Sequence, residues 1–281
     1  MASSARPRIR QRTKRIAYVN QKGGVGKTTW TINVGAAAAE LGARVLIREM
    51  DPQANSASSV EPEDGEYTMN DVMRPEEETG EVVPGSLGSA IRRTGKQWPG
   101  GLWIVPAELA LASRENDNGP GAPRERRLQI VSEGVLDPFD LVLTDCPPNV
   151  GQLTINALAD SDEAHIVTSP TKWGVEGSHQ AHRTIRMVQR HHNADLIFGG
   201  VWVNMYQTAG KNGRVESRTR VAELRAAEHF TGKIHDPIVH DMEVIRRAAG
   251  ASVPLSAYGN DKDATEAAAI FRGIAERALN D

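Results

Sequence analysis

The chain has 281 residues, close to the upper size for one hydrophobic core, and its 39% hydrophobic and 25% charged residues describe an ordinary water-soluble domain. No run of about 18 apolar residues is present, which argues against a membrane-spanning helix; the basic N-terminus lacks the apolar segment of a secretory leader; and one cysteine, Cys146, excludes an internal disulfide or a multi-thiolate metal site. The net charge of −3 is uneven: Arg6, Arg8, Arg10, Arg12, Lys14 and Arg15 crowd residues 1–15 without an acid, and the remainder holds 27 basic against 36 acidic residues, or −9.

Residues 1–15 are therefore read as a basic arm, either solvated or in contact with nucleic acid. Residues 16–20 are short, apolar and β-branched and run into glycines, which predicts a buried strand feeding a loop. Residues 28–41 are alanine-rich and end at Gly42, the pattern of a helix with a glycine stop. Further strands are predicted at 43–51, 102–106, 139–148, 163–170, 198–206 and 233–239, with helices at 124–135, 151–160, 175–192, 214–230, 241–249 and 263–279. The alternation implies an α/β fold, a mostly parallel twisted sheet with helices on both faces. Stretches 61–66, 74–86, 113–123 and 207–213 read as loops, none long enough to divide the chain, so 16–281 is expected to be one domain.

The first loop reads VNQKGGVGKTTW over residues 19–30. A phosphate-binding loop follows G-x-x-x-x-G-K-[ST]. Gly26, Lys27 and Thr28 fit its end, but Gln21 stands where the first glycine belongs, and a second lysine, Lys22, follows. Glycines let the backbone approach a phosphate, and successive N–H groups with a helix N-terminus point positive dipoles at it. Lys27 would neutralise the β- and γ-phosphates, and Thr28 would bind Mg2+. The magnesium shell also needs a carboxylate at the end of a neighbouring strand, and FDLVLTDCPP offers Asp145 there. Asp140 lies at the strand's start, the wrong end for ligands.

QKGGVGKTT resembles the deviant Walker A motif of the ParA/MinD ATPases. VLIREMDPQANSAS resembles their second motif, D-x-D-P-Q followed by small residues, and DLVLTDCPPNVG resembles the Walker B strand with its switch. TMNDVM, IVPAELALAS and VNMY fall in family-like order, so the resemblance covers about residues 16–281. It is nearest to the small ParA-type DNA partition ATPases that lack an N-terminal helix-turn-helix domain. The resemblance implies ATP and Mg2+ as cofactors, a homodimer when ATP is bound, and DNA binding without sequence preference. It further implies release when a ParB-type partner stimulates hydrolysis, and a cytoplasmic, nucleoid-associated place in plasmid or chromosome segregation. Lys22, Gly23, Gly24, Val25, Gly26, Lys27, Thr28 and Thr29 then hold nucleotide, Lys22 reaching across the dimer to the nucleotide of the other subunit, and Asn204 lies near the adenine.

One departure is Glu49, which replaces the first aspartate of D-x-D-P-Q while Asp51 keeps the second. By resemblance the first position orients the attacking water, so Glu49 is expected to do so, with Asp51 as the competing candidate. The extra methylene matters, since displacing a positioning group by about 1 Å costs on the order of 10²-fold in rate. Arg48 faces away from Glu49 on a period of two and is expected in a structural ion pair. Lys211, Arg214, Arg218 and Arg220 crowd one loop and helix start, and Arg246 and Arg247 a later helix. Family members place their DNA-binding basic residues in comparable C-terminal regions; a solvated helix face is the plain alternative. Asn204 could instead cap the turn into 207–213. Cys146 reads as a small buried filler. His179 and His182 are three apart and could share a metal, but no third ligand is near in sequence.

Three other classes compete. A MinD-like membrane-surface ATPase would end in a basic amphipathic helix, whereas 263–279 offers only Arg272 and Arg277 beside Glu266 and Glu276, so no membrane partner is expected. An ATPase resembling the nitrogenase iron protein needs two cysteines per subunit. A small-molecule ligase on the same loop shows no substrate motif.

Overall fold

Short runs of valine, isoleucine and leucine set the frame of this computed structural model, which describes residues 12–117, 123–208, 210–259 and 261–280. They form β1 (Lys14–Val19), β2 (Val45–Glu49), β4 (Leu102–Val105), β5 (Leu141–Asp145), β6 (Glu163–Thr168) and β7 (Ile197–Val203), and a pair of arginines adds the short β3 (Arg92–Arg93). These make one sheet in the order β3-β4-β2-β5-β1-β6-β7, parallel except for β3, which pairs antiparallel with β4. The helices are α1 (Lys27–Glu40), α2 (Asn55–Val60), α3 (Met69–Met73), α4 (Arg127–Val131), α5 (Gln152–Ala159), α6 (Lys172–His191), α7 (Lys211–Ala226), α8 (Glu243–Gly250) and α9 (Lys262–Asn280).

The period-two pattern of each strand divides the core. Ile16, Tyr18, Val45, Ile47, Leu141 and Leu143 pack with Trp30 of α1, Val244 of α8 and Phe271 of α9. Ala17, Val19, Leu46, Val142 and Ile166 pack on the other side with Leu153 of α5 and Val175 and Ile185 of α6. Both faces of the parallel strands are thus covered, as such sheets require. The mostly parallel α/β fold expected from the sequence is the one observed.

Three boundaries differ from expectation. β1 opens at Lys14, inside the expected arm: Lys14 is buried with its Nζ 2.8 Å from Glu163, and Arg15 pairs with Asp160 at 2.5 Å and Asp162 at 2.9 Å. Those acids, at and just before the start of the neighbouring β6, draw the two cations into the fold; residues 1–11 lie outside the described residues. The run 233–239 is not a strand but follows β7 through isolated bridges, Val201 to Ile234 and Tyr206 to His240. Pro237 supplies no N–H for a ladder. The expected helix 124–135 is a short turn over Arg124–Arg126 followed by α4. Arg48 is fully buried and does form the expected structural ion pair, with Asp160, and adds hydrogen bonds to Ser132 and Thr144.

Candidate active site

The C-terminal ends of β1, β2, β5 and β7 converge on one loop. After Val19 the chain turns through Asn20, whose side chain is buried. Its Oδ1 accepts from the N–H of Lys22 at 2.9 Å, and its Nδ2 donates to the Val167 carbonyl at 2.9 Å. The loop passes so close to α6 that a Cβ on Gly177 would lie 3.1 Å from the Cβ of Lys22 and collide with Asn20. Gly24 and Gly26 take positive φ of 74° and 88°, conformations that glycine adopts without strain. Gly26 leads directly into α1, and Trp30 N–H donates to its carbonyl at 2.8 Å. Gly23, Val25, Thr28 and Thr29 complete the loop and first turn, with Gly23 against Pro148 of the segment after β5.

Lys22 and Lys27 differ sharply. Lys22 is exposed, whereas Lys27 is 6% exposed. Burial lowers the Lys27 pKa, against the pull of Asp145, Cys146 and Asp51. Asp145 is fully buried at the end of β5. Burial raises it to about 6, opposed by Thr28, Lys27 and Ser56. Ser56 Oγ donates to Asp145 Oδ2 at 3.0 Å, while Oδ1 is buried without a hydrogen-bond partner. An orphaned carboxylate oxygen beside Thr28 and a helix N-terminus is the donor set that a hard, oxygen-seeking cation such as Mg2+ requires. The residues present therefore fit magnesium and a polyphosphate.

Glu49, expected from the sequence to orient the attacking water, has its carboxylate engaged by the backbone. It is fully buried, and both its oxygens are taken by backbone donors: Ser56 N–H at 2.5 Å and Ala57 N–H at 3.3 Å on Oε1, and Ala107 N–H at 3.0 Å on Oε2. Burial lifts it to about 7, assisted by Asp145 and opposed by those N–H groups. Its carboxylate ties the start of α2 to the segment after β4. Asp51 is the acid whose charge is felt at Lys27 and Asp145, and its Oδ1 accepts only from Gln53 N–H, at 3.0 Å, among the described residues.

Asn204, just after β7, makes no hydrogen bond into 207–213 among the described residues and is not free. Its Nδ2 donates to the Val25 carbonyl at 3.1 Å, and a Cβ on Gly26 would collide with it. Cys146 is buried, as expected, and its thiol pKa is raised by burial. Lys211 opens α7. Arg214 and Arg218 are exposed and form no ion pair among the described residues. Arg220 is bound to Glu223 at 2.8 Å, Arg246 pairs with Asp241, and Arg247 lies over the Tyr258 ring at 5.6 Å. His179 finds an unexpected neighbour, His229, at 2.8 Å, yet among the described residues no group of three His, Cys, Asp or Glu side chains is placed to hold a metal ion. Sequence reasoning missed Asn20, Ser56 and Gly177. Asn20 alone carried a signal, as a polar residue between the strand and the loop.

A family model for the AAA domain matches residues 13–198. The chain is 32% identical over 247 residues to the sporulation initiation inhibitor protein Soj of Bacillus subtilis, covering 87% of this chain and 91% of Soj. It is also 32% identical over 247 residues to the chromosome partitioning protein ParA of Caulobacter vibrioides, covering 86% of each. Among solved structures it is similar to cobyrinic acid a,c-diamide synthase from Mycobacterium smegmatis with bound ADP and magnesium, with a TM-score of 0.74 and 27% identity over 95% of this chain and 94% of that one. With a deviant phosphate loop, a buried Asp145 shaped for magnesium and these relatives, the chain belongs to the ParA/Soj family of P-loop partition ATPases and is an ATPase whose cofactors are ATP and Mg2+.

Proposed function

We propose that this ATPase is a DNA partition switch, in which ATP closes a homodimer that binds DNA without sequence preference and a ParB-type partner opens it by stimulating hydrolysis. The observation that carries the reading is the pair of lysines on one loop, Lys27 buried and Lys22 exposed. Lys27 holds the β- and γ-phosphates of its own subunit. Lys22, held at its backbone by Asn20, is free to reach the nucleotide of a second copy, where a cation stabilises charge on the transferred phosphoryl group. Around that loop, Leu109, Val150 and Trp173 are 71%, 40% and 61% exposed on the segments that follow β4, β5 and β6. Apolar side chains exposed on three segments at that end of the sheet favour a face that becomes covered.

Magnesium at Thr28 and Asp145 neutralises phosphate charge when bound. With Glu49 spent on three N–H groups, Asp51 is the better-placed group to accept a hydrogen bond from the attacking water, and Glu49 positions α2 and hence Ser56 against Asp145. Asn204 holds the phosphate loop at Val25 rather than reading the base. Arg214 and Arg218 are the DNA contacts of choice, because Arg220 and Arg246 are already paired within the chain. The membrane-surface alternative loses its anchor: Phe271 and Ile274 of α9 are buried against the core.

DNA retention with ATP, with ADP and without nucleotide tests the reading. Binding should need ATP, ignore sequence and fall with salt by about 0.9 in log–log slope per phosphate neutralised. Arg214→Glu with Arg218→Glu should abolish it while ATP-driven dimerisation persists. Deleting residues 1–11 should weaken binding and flatten the slope but keep the ATP requirement. Nucleotide-independent binding that vanishes with those residues overturns the dimer-surface reading.

A further inference from the structure

Between the sheet and α9, reached from the first halves of β1 and β6 and so away from the phosphate loop, lies a cavity of about 320 Å3. That is the low end of the range for small-molecule sites, about 300–1,000 Å3. Ile16, Ile274 and Ala278 give it an apolar wall, and Tyr18 and Trp202 an aromatic one, with Trp202 stacked on His235 at 4.3 Å between ring centroids.

The polar lining is fixed by a chain of hydrogen bonds. Lys14 Nζ lies 2.8 Å from one oxygen of Glu163 and His165 Nε2 lies 3.0 Å from the other. An indole N–H only donates. Trp202 Nε1, 3.1 Å from His165 Nδ1, therefore fixes His165 as the tautomer with its proton on Nε2, donating to Glu163. Burial works to raise Glu163, but its bonds to His165 and Lys14 prevail and hold it at about 2. His235 Nε2 is 2.9 Å from the Gly199 carbonyl oxygen, which only accepts, so Nδ1 is left as an acceptor. Burial, with His165 nearby, lowers the His235 pKa and favours the neutral ring.

The sheet is shaped to seat these rings. The β6–β7 register shifts between Ala164 and His165, and a Cβ on Gly199 would strike the His165 ring, one on Gly200 the His235 ring. Within the lining, Lys14 and Glu163 cancel. Arg277 remains, exposed at the mouth, with one N–H on the Asp236 carbonyl at 2.5 Å and its Cζ 6.0 Å from the centre of the Trp202 ring. Among the described residues, the lining carries one positive charge without an ion-pair partner, next to aromatic surface, and a ring nitrogen, His235 Nδ1, without a hydrogen bond.

We infer that this cavity is a second binding site, for a compact heteroaromatic carboxylate whose ring packs among Trp202, Tyr18 and Ile274, whose anionic group pairs with Arg277 and whose N–H donates to His235 Nδ1. At the packing density of protein interiors the volume admits roughly ten to fifteen non-hydrogen atoms. The site is independent of the nucleotide reading.

Indole-3-carboxylate is the probe, titrated calorimetrically into the full chain saturated with Mg-ADP so that the phosphate loop is filled. Saturable binding is expected with a Kd between about 10 μM and 1 mM, the range for a ligand of this size. Arg277→Gln should weaken it at least about tenfold, the loss expected of a charge-assisted bond. Arg272→Gln, on the same helix but paired with Glu276 at 3.4 Å, should leave it unchanged. Neutral 3-methylindole should bind at least about tenfold more weakly than the carboxylate. Absence of saturation up to about 10 mM, or an Arg277→Gln protein with undiminished affinity, overturns the assignment.

Discussion

Substituting Glu49 and Asp51 in parallel tests whether Asp51 rather than Glu49 orients the attacking water. In Glu49→Gln, a nitrogen replaces one of two oxygens that both accept. Either Ala107 N–H or the α2 donors Ser56 and Ala57 then face another donor. A buried donor left unsatisfied costs about 1–3 kcal/mol. Opposing this, the wild-type carboxylate is raised from 4.5 to about 7, so its ionised form costs roughly 3 kcal/mol that glutamine does not bear. Above pH 7 the two effects nearly cancel, and Glu49→Gln is expected to unfold within about 2 kcal/mol of wild type.

Its turnover should stay within about tenfold of wild type, because the loss reaches the reacting atoms only through a small shift of α2. Asp51→Asn keeps an acceptor for Gln53 N–H but loses the charge that would take the water's proton, a loss worth about 10²–10⁴-fold. Phosphate release at saturating Mg-ATP, with sedimentation to follow the dimer, decides between them: Asp51→Asn should accumulate as an ATP-bound dimer. If Glu49→Gln binds ATP and melts normally yet loses turnover a hundredfold while Asp51→Asn retains it, the reasoning fails, and the bonds to Ser56, Ala57 and Ala107 must open when ATP binds.

Lys27→Ala should abolish ATP binding by equilibrium dialysis, because the triphosphate loses its main cation; unchanged affinity would contradict the site. Lys22→Ala should bind ATP within about threefold of wild type yet neither dimerise nor hydrolyse, as read by sedimentation and phosphate release. Asp160→Ala strips the partner from the fully buried Arg48 and should destabilise by about 3–5 kcal/mol in urea unfolding, with ATP affinity of the folded fraction intact. The stability difference between Glu49→Gln and wild type should move by roughly 3 kcal/mol in the variant's favour between pH 4.5 and 8. A raised carboxyl holds its proton in the folded state and loses stability as pH rises through that window, and comparing the two proteins cancels the opposite-signed effect of His182, lowered to about 4 by burial.

The sequence exposed whatever is local. The phosphate loop spells its own geometry within a dozen residues, and Asp145 ends an apolar strand in plain view. What stayed hidden depends on distant partners. Lys14 looked like part of a cationic tail because Glu163, its counter-ion, is 149 positions away. The motif position of Glu49 points to catalysis, and nothing near it in sequence shows that Ala107, 58 residues on, donates to its second oxygen. Asn204 and Val25 are 179 residues apart, so the bond that holds the loop has no sequence signature. The run 233–239 carried the apolar pattern of a strand, but Pro237 limits it to isolated bridges beside β7.

The two ends of the sheet differ in how their charges are satisfied, and that difference locates the chemistry. At the base, Arg48, Arg15, Asp160 and Asp162 are mutually paired, and Lys14 is matched by Glu163. Such closed networks fix geometry. At the other end, Lys27 is pushed down by burial, Asp145 and Glu49 are pushed up, and Asp145 Oδ1 has no partner. Each of these groups is held in an environment that penalises its own charge. A polyanion would restore Lys27, and a divalent cation would restore Asp145, so one magnesium-bound nucleotide relieves both at once. Ionisations perturbed by burial around an unpartnered carboxylate oxygen mark a site built to be completed by its ligand.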